Sequence, residues 1–217
     1  MSASSTVPFR YLSIEGNIGA GKTSLSQMLA SHYDATLILE EFAENTFLDK
    51  FYRQPERYAF PLEVSFLTER FQQLKVMTSQ ASLFEQSFVS DYLFDKSLIF
   101  AQNTLQSDQY KLLRKLFETF HQQLPRPDLV LYLHSALPRL QRNIRKRGRP
   151  YEVNIKDDYL TAIQKSYLAY LKSISGQMPV IVLETTYIDF VGDRDGFHSI
   201  LQTLENAPDS GFHFQNI

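Results

Sequence analysis

The octapeptide Gly16–Thr23 constrains the fold more than any other stretch, because it matches the pattern G-x-x-x-x-G-K-[ST]. A β-prone apolar segment at about 10–14 precedes it, and apolar residues at helical spacing follow it over about 22–33. These flanks predict a strand, a phosphate-binding loop and a helix in direct succession, and they make a chance match the weaker interpretation. The residues expected to bind phosphate are Gly16, Asn17, Ile18, Gly19, Ala20, Gly21, Lys22 and Thr23.

The chemistry of such a loop follows from its backbone. Glycines let the main chain approach a ligand closely, and successive N–H groups form an anion-binding concavity. The next helix adds the positive end of its dipole. We expect Lys22 to reach the β- and γ-phosphates of a nucleoside triphosphate and the Thr23 hydroxyl to ligate Mg²⁺.

Strand-like and helix-like segments alternate along the chain, which predicts an α/β fold with a parallel sheet and helices on both faces. We expect one domain over residues 1–217, with right-handed crossovers and a loose tail from Pro208 to Ile217. Helices are expected at about 22–33, 45–52, 55–74, 92–102, 108–123, 137–147, 157–173 and 195–205. About five strands are expected, at 10–14, 35–39, 87–91, 129–133 and 180–183.

Composition excludes several function classes. A net charge of −2 provides no basic field for nucleic acid, and no apolar run is long enough to span a membrane. The chain has no cysteine, which excludes disulfides, thiolate-bound zinc and thiol catalysis. With no signal-type segment at residues 1–6, we expect a cytoplasmic protein that binds neither nucleic acid nor membranes.

Acidic residues follow two of the predicted strands. Glu40 and Glu41 come after the second strand, and Asp91 ends the third. Ligands bind at the carboxyl edge of open parallel sheets, so these acids are candidates for a site. A solvated pair at the start of a loop is the alternative for Glu40 and Glu41.

The segment 142–149 has five cations among its eight residues. It could be a solvated helix end, because cations favour a helix C-terminus, or, less plausibly, a nucleic-acid patch. It could also be a lid whose arginines close over a transferring phosphoryl group. The presence of a phosphate loop as well favours the lid and phosphoryl transfer.

Several segments together resemble the deoxynucleoside kinases, most closely the bacterial purine branch of deoxyguanosine and deoxyadenosine kinases. The resemblance spans about Tyr11 to Phe197 and implies a P-loop kinase fold with an arginine-rich lid at about 145–156. It also implies ATP as the phosphate donor and a homodimer, for which helices 92–102 and 108–123 are candidate surfaces. The segments that carry it are 16–23, 51–60, 90–92, 99–101, 146–152 and 188–190.

The resemblance assigns roles position by position. Glu40 would take the proton of the nucleoside 5′-hydroxyl, and Asp91 would lie near Mg²⁺. Tyr52 and Glu152 would bind the 3′-hydroxyl, and Arg147 and Arg149 would be the lid arginines. The donor's adenine would be held by Arg142, Asp189 and Phe190.

The resemblance also implies a base pocket on the long helix that starts near Pro55. Pattern alone favours Glu63 and Arg70 as edge residues of an apolar stripe, whereas the family implies that they contact the base beside Phe66 and Phe100. A carboxylate accepts hydrogen bonds, and guanine offers adjacent N1–H and N2–H₂ donors. We therefore expect guanine first and then adenine, with cytosine possible and thymine least suitable.

One departure from the family pattern affects the charge at the site. Many relatives have an arginine after the acid that ends the third strand, but this chain has Tyr92. Lys96, one turn further, could supply the cation, or it could be a surface lysine.

Two other classes share parts of this pattern. A nucleoside monophosphate kinase would need arginines for an acceptor phosphate, where this chain has Glu63. A non-catalytic or switch-type nucleotide-binding module is the other class. Residues 193–196 fit its D-x-x-G pattern but come too late in the chain, and no Asn-Lys-x-Asp guanine motif accompanies them.

Overall fold

The computed structural model describes residues 7–41, 45–81, 87–152 and 154–217. These residues contain eight helices and six strands, joined by loops. Residues 1–6 and the lid residue Val153 lie outside the described residues. The strands are β1 Tyr11–Gly16, β2 Thr36–Ile38, β3 Phe88–Ser90, β4 Leu129–His134, β5 Val180–Glu184 and β6 Phe212–Asn216. The helices are α1 Lys22–Tyr33, α2 Leu48–Arg53, α3 Pro55–Ala81, α4 Lys96–Thr104, α5 Ser107–His121, α6 Leu137–Arg147, α7 Asp157–Ile174 and α8 Arg194–Glu205.

All six strands are parallel, in the order β2-β3-β1-β4-β5-β6. The predicted α/β fold with a parallel sheet is confirmed. Because parallel strands end at the same edge, the P-loop after β1, Glu40 after β2 and Asp91 after β3 meet there. The order reverses at β1, which places the phosphate loop at the switch point of the sheet.

The sheet is covered on both faces, which explains why its central strands are apolar throughout. One cluster of buried side chains joins β1, β4 and β5 to α1 and α8. Two further clusters pack the opposite face against α3, α4, α5 and α7.

The prediction of a loose tail is wrong, because residues 212–216 form a sixth strand that pairs in parallel with β5. Gly211 turns the chain with φ of +99°, and its carbonyl accepts a hydrogen bond from Val180 N at 2.9 Å. The alternation of Phe212 and Phe214 with polar residues is the signal for this strand.

The helix expected from Tyr92 begins only at Lys96. Leu93 N donates to the buried carboxylate of Glu15 at 2.6 Å, and Ser90 Oγ donates to the Tyr92 carbonyl at 2.7 Å. The Leu93 N–H and the Tyr92 carbonyl are thus bonded to side chains of β1 and β3. These bonds hold residues 92 and 93 in a turn before α4 begins.

Candidate active site

A cavity of about 750 Å³ opens at the carboxyl edge of the sheet. It is bounded by the P-loop, the segment after β2, helices α2, α3 and α4, the lid segment after α6 and the loop between β5 and α8. Most of the residues expected to form a site therefore line one continuous space.

Two glycines of the P-loop have backbone conformations that other residues rarely adopt. Gly19 and Gly21 have φ of +83° and +95°, conformations that L side chains rarely adopt. Lys22 Nζ donates to the carbonyl oxygens of Gly16 at 2.9 Å and Asn17 at 3.1 Å, so the lysine lies across the loop. Burial lowers the pKa of Lys22 to about 8, with the positive charge of Lys96 as a second cause. Phosphate bound in the loop would raise it again.

Side-chain hydrogen bonds of Asn17 and Asn143 connect the P-loop to α7 and α6, the helices that flank the lid. The buried Asn17 side chain donates to Leu160 O of α7 at 2.8 Å, and Asn143 of α6 donates to Gly19 O at 2.8 Å. Residues 18–23 line the cavity, whereas Gly16 and Asn17, which were also expected to bind phosphate, are not among the described residues that line it.

Glu40 is held between two cations. Its Oε1 accepts from Arg70 Nε at 2.8 Å and Nη2 at 2.5 Å, and its Oε2 accepts from Lys96 Nζ at 2.5 Å. Burial by itself would raise the pKa of Glu40, but Lys96 and Arg70 hold it well below its ordinary value. Glu40 is therefore a carboxylate at neutral pH, with a fixed orientation.

Two expectations change at this cluster. Lys96 is buried and lines the cavity, so the surface-lysine alternative is wrong. Arg70 lines the cavity too, but its guanidinium bonds Glu40 and donates from Nη1 to Ser97 Oγ at 2.7 Å. The Arg70 guanidinium is therefore bonded to the Glu40 carboxylate and to Ser97, rather than being free to contact a base. The spacing of residues along α3 does not indicate these partners.

Asp91 links β3 to the P-loop. It accepts from Thr23 Oγ1 at 2.6 Å and from the main-chain N–H of Glu40 at 2.7 Å. A hydroxyl beside a carboxylate is a hard-oxygen pair that fits Mg²⁺, which is commonly held by one or two protein oxygens together with substrate phosphates. Among the described residues no cluster of three or more acids, histidines or cysteines could hold a metal alone.

The lid arginines converge on Glu152. Both Arg147 and Arg149 form ion pairs with this buried carboxylate, the latter with 3.2 Å between Nη1 and Oε1. Gly148, with φ of +69°, ends α6 between them. Tyr52 stacks on Tyr151 at 5.9 Å between ring centroids, and burial together with the nearby Glu152 raises its pKa. Tyr52 and Glu152 therefore line the same cavity, close enough for the Glu152 carboxyl group to raise the pKa of Tyr52.

The base pocket lies further in. Glu63 is 3% exposed, and Thr104 Oγ1 lies 3.0 Å from its Oε1. Burial raises the pKa of Glu63 to about 7, although Arg70 and Thr104 oppose the shift. Phe66 and Phe100 line the same region, together with Tyr159 of α7, which the sequence patterns did not single out.

The donor side departs from the expected residues. Phe190 is buried, and a Cβ at Gly21 would lie 3.0 Å from its ring. Asp189 closes a turn by accepting from Gly192 N at 3.1 Å. Both line the cavity, but Arg142 is exposed and is not among the described residues that line it.

Arg139, on the same helix as Arg142, points to the cavity instead. It lines the cavity and donates to Ile188 O at 3.2 Å. Arg139, Asn143 and Lys146 follow i, i+4, i+7 spacing, which puts them on one face of α6 and leaves Arg142 beside it. That spacing is visible in the sequence and could have identified the face.

The described helices include none with the length and hydropathy that crossing a membrane requires.

The comparisons with known proteins agree on one family. Residues 12–207 match the family model described as deoxynucleoside kinase. The chain is 34% identical over 198 residues to a deoxyguanosine kinase of Bacillus subtilis, covering 90% of this chain and 95% of the relative. It is 31% identical over 173 residues to a deoxyadenosine kinase of Dictyostelium discoideum, covering 79% and 70%. A solved deoxyadenosine kinase from M. mycoides with bound dCTP has the same fold, with a TM-score of 0.75 at 22% identity, covering 89% of this chain and 98% of that one.

Proposed function

Since the chain belongs to the deoxynucleoside kinase family and is a phosphotransferase that uses ATP, we propose that it phosphorylates the 5′-hydroxyl of a purine deoxynucleoside. The observation that carries the proposal is the position of Glu40. This carboxylate lies in the same cavity as the P-loop and the acidic base pocket. Relatives named as deoxyguanosine and deoxyadenosine kinases support the purine assignment.

Glu40 acts on the nucleoside hydroxyl. Its lowered pKa makes it a weak base, so its main task is to orient the hydroxyl and to accept the proton late. This suits phosphoryl transfer, because the transition state is loose and the attacking oxygen needs little prior activation.

The charge that develops on the transferring group is met by fixed donors and cations. The P-loop amides and Lys22 would hold the donor phosphates, and Arg147 and Arg149 would bond them once released from Glu152. Thr23 and Asp91 would hold Mg²⁺, which when bound supplies positive charge to the phosphate oxygens. Arg139 and Phe190 are the residues we assign to the donor base.

Lys96 provides the cation that Tyr92 does not. Its ammonium bonds Glu40 and lies within 5.6 Å of the Phe100 ring centroid, between the base pocket and the catalytic carboxylate. We predict that Lys96→Met lowers kcat at least tenfold, because Glu40 loses one of its two charged partners. Steady-state kinetics would test this, and an unchanged kcat would refute the role.

Glu63 selects the base. A buried carboxyl group beside Phe66 and Phe100 favours bases that present hydrogen-bond donors, which are guanine and adenine before cytosine and thymine. Glu63→Gln should narrow the difference between purine and pyrimidine turnover, and an unchanged ratio would contradict the assignment.

The function is tested by turnover of Mg-ATP with the four deoxynucleosides and, separately, with their monophosphates. We expect phosphorylation of deoxyguanosine or deoxyadenosine and none of a monophosphate. Turnover of monophosphates alone would overturn the proposal in favour of a nucleoside monophosphate kinase.

Two finer properties accompany this function. We infer a homodimer because α5 exposes Leu112 and Leu116, and sedimentation at several protein concentrations would test it. A cysteine-free chain that uses ATP suits the cytoplasm, and fractionation of cells would test that location.

A further inference from the structure

The Thr104 hydroxyl faces two acceptors at equal distance. Its Oγ1 lies 3.0 Å from Glu63 Oε1 and 3.0 Å from the carbonyl oxygen of Phe100. A hydroxyl has one hydrogen, so it can donate to only one of them at a time. The Phe100 carbonyl is four residues earlier on α4, a common partner for a helical threonine.

This geometry provides partners for Glu63 in both of its forms. If Glu63 is a carboxylate, Thr104 donates to Oε1. If Glu63 is a neutral acid, its Oε1–H donates to Thr104 Oγ1, and the hydroxyl donates to Phe100 O. Neither arrangement requires the carboxyl group to move from the position that gives these two distances.

The other oxygen of Glu63 is available to a ligand. Within the ranges that the structure describes, Oε2 makes no hydrogen bond, although the residue is 3% exposed and lines the cavity. Oε2 is not one of the described buried side-chain atoms that lack a hydrogen-bond partner, so it is accessible from the cavity, where a bound group can donate to it. This is the atom that we expect to contact the base.

We propose that Thr104 is a positioning residue that stabilises Glu63 both as an acid and as a carboxylate, so that the exchange of one proton on Glu63 changes the base preference. The inference rests on the proposed function and specifies how its base is selected. The anion is a strong acceptor that suits the two adjacent donors of guanine. The neutral acid offers one carbonyl oxygen, which suffices for the amino group of adenine.

The surroundings of Glu63 allow both forms near neutral pH. Burial favours the acid, nearby cations favour the carboxylate, and together they place the pKa at about 7. The ionisable groups that act on it or line the pocket with it are Arg70 of the same helix, Lys96 of α4, Glu40 after β2, Tyr159 of α7 and Tyr52 of α2.

The test compares deoxyguanosine with deoxyadenosine as substrates between about pH 6 and pH 8, where an ordinary glutamate does not titrate. We expect the ratio of their kcat/KM values to shift towards deoxyguanosine by about fivefold to tenfold as pH rises, since hydrogen bonds to charged groups are the stronger ones. Effects of pH on Glu40 or the phosphates act on both substrates and cancel in the ratio.

Variants separate the two residues. Glu63→Gln cannot titrate, so its ratio should be independent of pH. Thr104→Val removes a partner of both forms of Glu63, but the bond to the anion is the stronger of the two, so the midpoint of the transition should move to higher pH. Thr104→Ser should keep the wild-type midpoint.

The outcomes are distinct. If neither deoxynucleoside is phosphorylated at any pH, the proposed function itself fails. If both are phosphorylated but the wild-type ratio is constant with pH, or Glu63→Gln keeps the wild-type slope, the inference about Glu63 is wrong. If Thr104→Val keeps the wild-type midpoint, the role of Thr104 is wrong.

Discussion

Replacing Glu40 by glutamine removes one negative charge from between two buried cations while keeping the shape of the side chain. The carboxylate accepts from Arg70 on one oxygen and from Lys96 on the other. Glutamine has one acceptor oxygen and one NH₂ donor, so its donor must face a cation on one of the two sides.

The expected cost follows from that mismatch. Removing one partner of a buried ion pair costs about 3–5 kcal/mol, and we take the lower end because Glu40 lines a cavity that water can enter. For a chain of this size, about 3 kcal/mol lowers Tm by roughly 6–12 °C. Loss of the group that orients the 5′-hydroxyl should lower kcat by about 10²- to 10⁴-fold.

Thermal unfolding and steady-state kinetics with Mg-ATP measure the two effects. Glu41→Gln is a matched control, because Glu41 is the exposed neighbour of Glu40 and should change neither quantity. A Glu40→Gln protein that melts within about 2 °C of wild type would show that the two cations do not depend on this carboxylate. A kcat within a few-fold of wild type would show that Glu40 does not orient the substrate.

Three further predictions concern the P-loop, the sixth strand and Glu63. Gly19→Ala should abolish activity, because a Cβ would lie 2.8 Å from Leu140 O at a φ of +83°, whereas Gly176→Ala, with nothing within 4 Å, should be fully active. Deleting residues 209–217 removes β6 from the edge of β5 and should lower Tm by more than 5 °C, or about 2 kcal/mol, and an unchanged Tm would show that β6 contributes nothing. The pKa of Glu63 is raised from 4.5 to about 7, so the folded protein keeps a proton that the unfolded chain loses; its stability therefore falls as pH rises from about 4.5, and the loss is complete once the carboxyl group ionises near pH 7. Glu63→Gln should therefore gain about 3 kcal/mol relative to wild type between pH 5 and pH 8 in denaturant unfolding, and a constant difference would contradict the burial of its charge.

The order of elements and the place of the site could be predicted from local patterns. Alternating apolar and helical periodicities identify strands and helices because they depend on covalent neighbours. In a parallel sheet the residues after each strand must share one edge, which brings Glu40, Asp91 and the P-loop together. The weak alternation of Phe212 and Phe214 was not enough to predict a strand, because an edge strand depends on the pairing offered by β5.

The partners of the buried charges were decided by tertiary structure alone. Arg70 and Lys96 lie on different helices, and only the packing of α3 against α4 makes both of them partners of Glu40. The same packing buries Glu63 and so raises its pKa, a property that residue type and spacing do not contain. Sequence determined which chemical groups this protein brings to the end of its sheet, because motifs and periodicity are local. Tertiary structure decided which of them pair and which remain open to a substrate, because desolvation and ion pairing depend on neighbours that are distant along the chain.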